Sequence, residues 1–367
     1  MKTFIHILIA LIFMLPVGTY MYYFIERITK FFGNMSKATR KKIVWIGIII
    51  VLLPAIHIGN IWTIILIHIV GIGLCCDIIQ MIVKVVKWNN KMWENIYTIG
   101  IIPIVATILI IAYGFFNVQN IVETHYTVET EKEIRQEGYK VAFLSDLHFG
   151  TTMDIETLER TVEKINEANA DIVVLGGDIF DENTTKREME EAIEVLSTLN
   201  NKEGIFYVYG NHDINEYVSK PNYSVNELEN NLVQAGINVL NDETYLINDE
   251  LLIVGRKDNS FGNRLSSSQL LENENNNNFL LVIDHQPLDI TENSQNGYDL
   301  QLSGHTHNGQ IFPLGIIMDV LGIYELNYGQ KQIGTFTGIV SSGIGGWGYP
   351  IRTQSNCEYV IVDIVGK

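Results

Sequence analysis

Hydrophobic and polar positions alternate on two different scales along this chain. The first 116 residues hold four long apolar stretches, about Phe4 to Phe24, Ile43 to Ile61, Trp62 to Ile82 and Tyr97 to Phe116. A helix needs roughly 20 apolar residues to cross a bilayer, because hydrocarbon leaves backbone polar groups no partner outside the helix. The pattern therefore predicts four spans, with Gly59-Asn60 turning a tight hairpin between the second and third. The first stretch lacks the small-residue cleavage site of a signal peptide. From residue 117 the scale shortens. His125-Tyr126-Thr127-Val128-Glu129 alternates like an edge strand. After it come short apolar runs at 141–144, 172–175, 205–209, 279–283 and 299–302, each closed by a polar turn. Helix-like patterns over 154–168, 186–199 and 224–235 separate the leading runs. Such uninterrupted runs suit parallel strands buried on both faces. Residues 237–255 and 333–364 read as short strands of a second, more antiparallel sheet.

The organisation expected is a transmembrane anchor over 1–116, a connector and first strand over 117–137, and an α/β domain over 138–367. Composition agrees. Residues 1–116 carry 10 Lys/Arg and 3 Asp/Glu, and the remainder carries 15 and 39. Positive residues cluster in the loop 25–42 and at Lys84, Lys87 and Lys91. Basic loops stay in the cytoplasm, so the α/β domain is expected outside. His6, His57, His68 and Asp77 lie within the apolar stretches and are read as satisfied by neighbouring helices or interfaces, not as an ion path. The acidic balance excludes a nucleic-acid partner. Cys75, Cys76 and Cys357 make no disulfide framework, and no feature identifies a protein partner.

The polar turns carry the chemistry. They hold Asp146, His148, Asp178, Asn211, His212, His285, His305 and His307, including five of the six histidines after residue 116. Asp146 to Asp178 is 32 residues and Asp178 to Asn211 is 33, each about one βαβ unit. The turns thus share the C-terminal edge of a parallel sheet, where α/β folds bind ligands. Carboxylate, amide oxygen and imidazole without thiolate suit Mn, Fe or Zn. Seven ligands exceed one ion and suit two, with Asp178 on the middle strand as the shared carboxylate. Two divalent ions clamp a phosphoryl group and acidify a water. His212 is the natural proton donor to the leaving oxygen, with Asp213 orienting it. Asp181 reads as a supporting carboxylate, and Arg352 as a salt bridge or a phosphate contact. Residues 314–323 read as a core segment or as an apolar lip for a lipid chain.

Asp146-Leu147-His148, Gly177-Asp178 with Asp181, Gly210-Asn211-His212-Asp213, His285 and Gly304-His305-Thr306-His307 together resemble the motif series of the calcineurin-like metallophosphoesterases, over about residues 138–364. The extended pieces 145–150 and 304–310, and the Gly-rich segment before Pro350-Ile351-Arg352, are similar to its membrane-associated bacterial branch. Cys357 departs from that branch, which often has proline there. The resemblance implies a four-layer α/β/β/α sandwich. It implies one ion on Asp146, His148 and His307, a second on Asn211, His285 and His305, Asp178 bridging, and His212 as proton donor. The expected activity is a membrane-anchored, two-metal phosphoesterase. It would cleave phosphodiester, pyrophosphate or phosphomonoester bonds with a metal-activated hydroxide, on an envelope lipid or cell-wall precursor brought near by the anchor. The alternative is a membrane transporter or sensor with a regulatory metal-binding domain.

Overall fold

A computed structural model describes residues 2–33, 35–56, 60–215, 217–272, 274–275 and 277–367, with backbone alone at 2–13 and 56. His57 and Gly59 lie outside the described residues, as does the side chain of His6. The chain forms two compact units, Met1–Tyr113 and Gly114–Lys367.

The first unit contains α1 (Lys2–Phe31), α2 (Lys37–Leu52), α3 (Ile61–Val85), α4 (Lys91–Ile99) and the start of α5 (Ile101–Asn117). Ser36, Asn60 and Asn90 each cap a helix by accepting a backbone N–H three residues on. The expected four spans are not what the described residues show. Among the described residues only α3, with 25 residues, is long and apolar enough to cross a membrane, and the first half of the expected span Phe4 to Phe24 falls on side chains outside them. α2 has 16 residues, about 24 Å of helix, and a turn beginning at Pro54 follows it. The expected fourth stretch breaks at Gly100, whose φ of 71° closes α4 in a left-handed cap. α4 and α5 consequently meet at a 59° bend, so they count as one span at most. His68 Nδ1 lies 2.8 Å from the Ile64 carbonyl of its own helix. Asp77 accepts from Arg27, Tyr20 and Tyr97.

The second unit is a mixed α/β fold built on two six-stranded sheets. The first has the order β1 (Ile121–Thr130), β12 (Cys357–Gly366), β2 (Tyr139–Leu144), β3 (Ile172–Leu175), β4 (Gly204–Tyr207), β5 (Asn238–Val239). β1 is its edge strand. The second runs β10 (Gly329–Ile333), β11 (Phe336–Val340), β9 (Leu300–Ser303), β8 (Phe279–Ile283), β7 (Leu251–Gly255), β6 (Glu243–Ile247). The apolar runs are continuous because both faces of each central strand are covered. Val141, Phe143, Val174 and Phe206 point between the sheets, against Ile253, Leu281 and Leu302. Ala142, Leu144, Val173 and Leu175 point the other way, against α6 (Ile155–Glu167), α7 (Lys186–Leu196) and α8 (Val225–Gln234). Capping boxes at Thr185 and Ser224 start α7 and α8. On the far side, Leu270, Leu271 and Ile290 of a 3-10 turn and of the short α9 (Ile290–Gln295) cover Val254 and Val282.

Three assignments differ from expectation, the first being β5, which pairs with β4 in the first sheet. The strands at 279–283 and 300–303 belong to the second sheet, whose four inner strands are parallel. Only β6 and β10 are antiparallel there. The C-terminal strand β12 crosses to the first sheet and pairs antiparallel with β2. An apolar run buried on both faces carries no mark of which sheet it enters. Residues 314–323 do not pack into the core either. They form α10 (Leu314–Leu321) and the turn after it, and of the helix only Gly315 is buried.

Candidate active site

The polar turns after β2, β3, β4, β8 and β9 converge on the edge where the two sheets meet. Their backbones are cross-linked. Asp146 N–H donates to Gly177 O, His148 N–H to Asp178 O and Gly304 N–H to His285 O. His305 N–H reaches the Asp146 carboxylate at 2.9 Å, and His212 N–H donates to Asp178 Oδ1 at 2.8 Å. Asp146, His148, Asp178, His305 and His307 all have positive φ, between 44° and 71°. Each such non-glycine conformation costs on the order of 1 kcal/mol and persists where the surroundings over-determine it. Close approach needs glycine beside them. A Cβ on Gly210 would stand 2.1 Å from Asp178 Oδ1, and one on Gly304 2.2 Å from Asp146 Oδ2.

Among the described residues three groups have metal-ligating geometry, and two of them hold expected ligands alone, Asp146–His148–His307 and Asp178–His285–His305; the third, His148–Asp181–His212, shares His148 with the first. In the first, His148 Nε2 and His307 Nε2 lie 3.1 Å apart, and His307 Nε2 is 3.5 Å from Asp146 Oδ1. Two imidazole nitrogens bound at about 2.1 Å and a right angle stand roughly 3.0 Å apart. In the second, Asp178 Oδ2 is 3.0 Å from His285 Nε2. The same oxygen is 3.8 Å from His148 Nε2, so it faces both clusters.

The donor atoms fit divalent ions. His285 Nδ1 sits 2.8 Å from the Gly176 carbonyl; a carbonyl only accepts, so Nδ1 carries the hydrogen. Its Nε2 is buried without a hydrogen bond, as a metal-ligating nitrogen is when the other ring atom is tethered. His148 differs: its Nδ1 is buried without a hydrogen bond, 3.3 Å from Asp181 Oδ2, and its Nε2 faces His307. Asn211 Oδ1 is likewise buried and unpartnered, while its amide nitrogen donates to Tyr217. Charge runs in two directions here. Burial opposes ionisation of Asp178, but His285 and His148 hold its carboxyl well below the usual range. Despite burial, Asp178 raises His285 well above an ordinary histidine. Burial, with His148 and Arg352 nearby, holds His307 well below. Burial and the His285 charge also lower His305.

His212 stands beside the clusters, its ring 5.0 Å from that of His148. Its Nδ1 lies 2.7 Å from Glu182 Oε1. Although burial opposes it, this hydrogen bond and the Asp178 charge raise the His212 pKa, which favours the proton-carrying form. The expected orienting group, Asp213, is placed elsewhere. It is fully buried and accepts the backbone N–H groups of Asp178, Phe180 and Gly210. It ties the turn after β3 to the turn after β4. Burial and the Asp178 carboxylate push it up to about 7. Asp213→Asn must turn an amide N–H toward one of these donors, and each buried donor left unpaired costs about 1–3 kcal/mol. Denaturant unfolding should therefore show a loss of at least about 1 kcal/mol. Arg352 contacts neither a carboxylate nor the cavity. It is completely buried and donates to the carbonyls of Gly343, Asn356, His307 and Ser342, with one nitrogen 3.1 Å from His307 Nδ1.

A cavity of about 900 Å³ opens over the site, lined by His148, Asp178, Asn211, His212 and His307 among others. Tyr217 and Trp347 flank the His212 ring at 5.1 and 5.7 Å. Glu182, Tyr217 and Trp347 were not singled out in the sequence. Glu182 is one acidic residue among many, and its role depends on how the chain turns after Asp181.

Residues 139–309, the stretch containing every one of these turns, match the family model for calcineurin-like phosphoesterases. An uncharacterized metallophosphoesterase of Aquifex aeolicus is 33% identical over 268 residues, covering 98% of that protein and 71% of this chain. This chain belongs to the calcineurin-like metallophosphoesterase family. The metallophosphoesterase is also 29% identical to an uncharacterized relative from Helicobacter pylori, 62% of whose length it spans. It is 27% identical to a Danio rerio transmembrane protein with a metallophosphoesterase domain, again over 62% of that protein. The family assignment makes it a metal-dependent phosphoesterase.

Proposed function

We propose that the metallophosphoesterase is a two-metal phosphoester hydrolase. Asp146, His148 and His307 hold one ion, Asn211, His285 and His305 hold the other, and Asp178 joins them. The observation that carries this reading is the single Asp178 oxygen facing both histidine clusters. Two bound ions supply Lewis acidity toward phosphoryl oxygens and lower the pKa of a water. The chain supplies the rest. His212, raised in pKa and held by Glu182, hands a proton to the departing oxygen. The cross-linked turns keep the ligands fixed, so no reorganisation accompanies the reaction. Phosphodiesters, pyrophosphates and phosphomonoesters all offer the required phosphoryl group, and Mn, Fe and Zn suit the donors.

The same proposal places the enzyme in a membrane with its catalytic domain outside, acting on an envelope lipid or cell-wall precursor. Support comes from α3, from the bent pair α4–α5 taken as a second span, and from Lys84, Lys87 and Lys91 between them, which stay inside and leave the catalytic domain outside. A reporter joined after Lys367 tests the orientation. The transporter alternative gains nothing from the described residues, since His68 and Asp77 have partners within the helical unit. Full-length protein, stripped with a chelator and reloaded with Mn²⁺, should regain hydrolysis of bis(p-nitrophenyl) phosphate as about two equivalents bind. Failure of Mn, Fe and Zn alike to produce turnover removes the hydrolase reading.

A further inference from the structure

α10 and its flanks concentrate apolar surface in one place. Phe312, Leu314, Ile316, Ile317, Val320, Leu321 and Ile323 are all exposed, Val320 by 80% and Leu321 by 69%. Contiguous exposed aliphatic surface of this kind marks a binding site in a soluble fold. The surface is continuous with the active site. Leu314, Ile317, Met318 and Ile323 line the same cavity as His148, Asp178 and His212. The cavity thus has one wall of metal-ligating side chains and another of aliphatic ones. No Lys or Arg is among the described residues lining it. A substrate with several phosphates would find no cation there apart from the ions at the centre.

We infer that the cavity takes a phosphoester bearing a long alkyl or acyl chain, with the phosphoryl group at the ligand clusters and the chain along Leu314, Ile317 and Met318. This rests on the phosphoesterase reading and names its substrate class. The occupant is one chain of a single lipid-like molecule. Val320 and Leu321 do not line the cavity, so the bound chain passes them by. Burying one methylene is worth about 0.8 kcal/mol, roughly fourfold in binding. An eight-carbon chain should therefore raise kcat/KM strongly over a two-carbon chain, even when only part of it is covered.

The test uses full-length, Mn²⁺-loaded protein and p-nitrophenyl alkyl phosphodiesters from ethyl to octyl, all below their micellar concentrations. The wild-type octyl/ethyl ratio of kcat/KM should exceed about 30. Ile317→Ser and Leu314→Ser should each cut that ratio at least threefold, and Val320→Ser should leave it at the wild-type value. A flat wild-type series, with the ethyl ester still hydrolysed, overturns the chain site and leaves the hydrolase reading standing. So does a Val320→Ser ratio that falls as far as that of Ile317→Ser, because the apolar surface as a whole would then be responsible. Absence of turnover on every ester, bis(p-nitrophenyl) phosphate included, overturns both.

Discussion

Asp178→Asn should lower kcat for bis(p-nitrophenyl) phosphate by at least about 10³-fold, equivalent to roughly 4 kcal/mol of transition-state stabilisation. Asparagine, neutral and with one acceptor oxygen, cannot fill all three functions of this carboxylate. Its Oδ2 is the atom that faces both histidine clusters, and an amide there is neutral and no longer screens two like charges. Its Oδ1 accepts the His212 N–H, which locates the proton donor. Its negative charge also raises the pKa of His212 against the effect of burial. The fold itself should persist, because the backbone of the turn is held by Asp213 and by the bond from His148 N–H to Asp178 O. The check pairs metal analysis with kinetics. The variant should keep its far-ultraviolet circular dichroism and bind fewer than two equivalents of Mn²⁺. Retention of two ions with wild-type kcat refutes the shared-carboxylate assignment.

His212→Ala should show a loss that depends on the leaving group. Protonation of a departing oxygen contributes about 10²–10⁴-fold when that oxygen is strongly basic. An alkoxide needs the proton and p-nitrophenolate barely does. The variant should lose at least about 10²-fold on an alkyl leaving group and less than about tenfold on p-nitrophenolate. Glu182→Gln should follow the same pattern with smaller losses, since it acts through the 2.7 Å contact to His212 Nδ1. In a His212→Ala background, Glu182→Gln should add almost nothing. A purely structural contribution from either residue would depress both substrates equally, so the ratio between them is the quantity to measure.

The convergence of the expected ligand side chains was legible because each sits in a turn directly after an apolar run, and the first three turns recur at βαβ spacing. What spacing cannot carry is the direction of the next crossover. The runs at 279–283 and 300–303 look like β2 to β4, yet they build the other sheet, since a strand covered on both faces presents the same residues wherever it lies. Asp213 misled for a related reason. Adjacency to His212 suggested a partner, whereas the turn directs its carboxylate to backbone donors, and Glu182, thirty positions away in sequence, takes the ring. In the helical unit, apolar length was visible but helix ends were not. Gly100 adopts a left-handed conformation that ends α4 inside an unbroken hydrophobic run.

The meeting of turns from two sheets at one edge bears on how the site is assembled and lost. Each proposed ion takes side chains from both halves of the sandwich, so neither half alone carries a complete coordination sphere. Ions bound there would act as rivets along a seam that the backbone hydrogen bonds between the turns already close. A lineage that let either sheet drift in register would surrender both rivets at once, which ties the geometry of the whole sandwich to a few atoms at its margin.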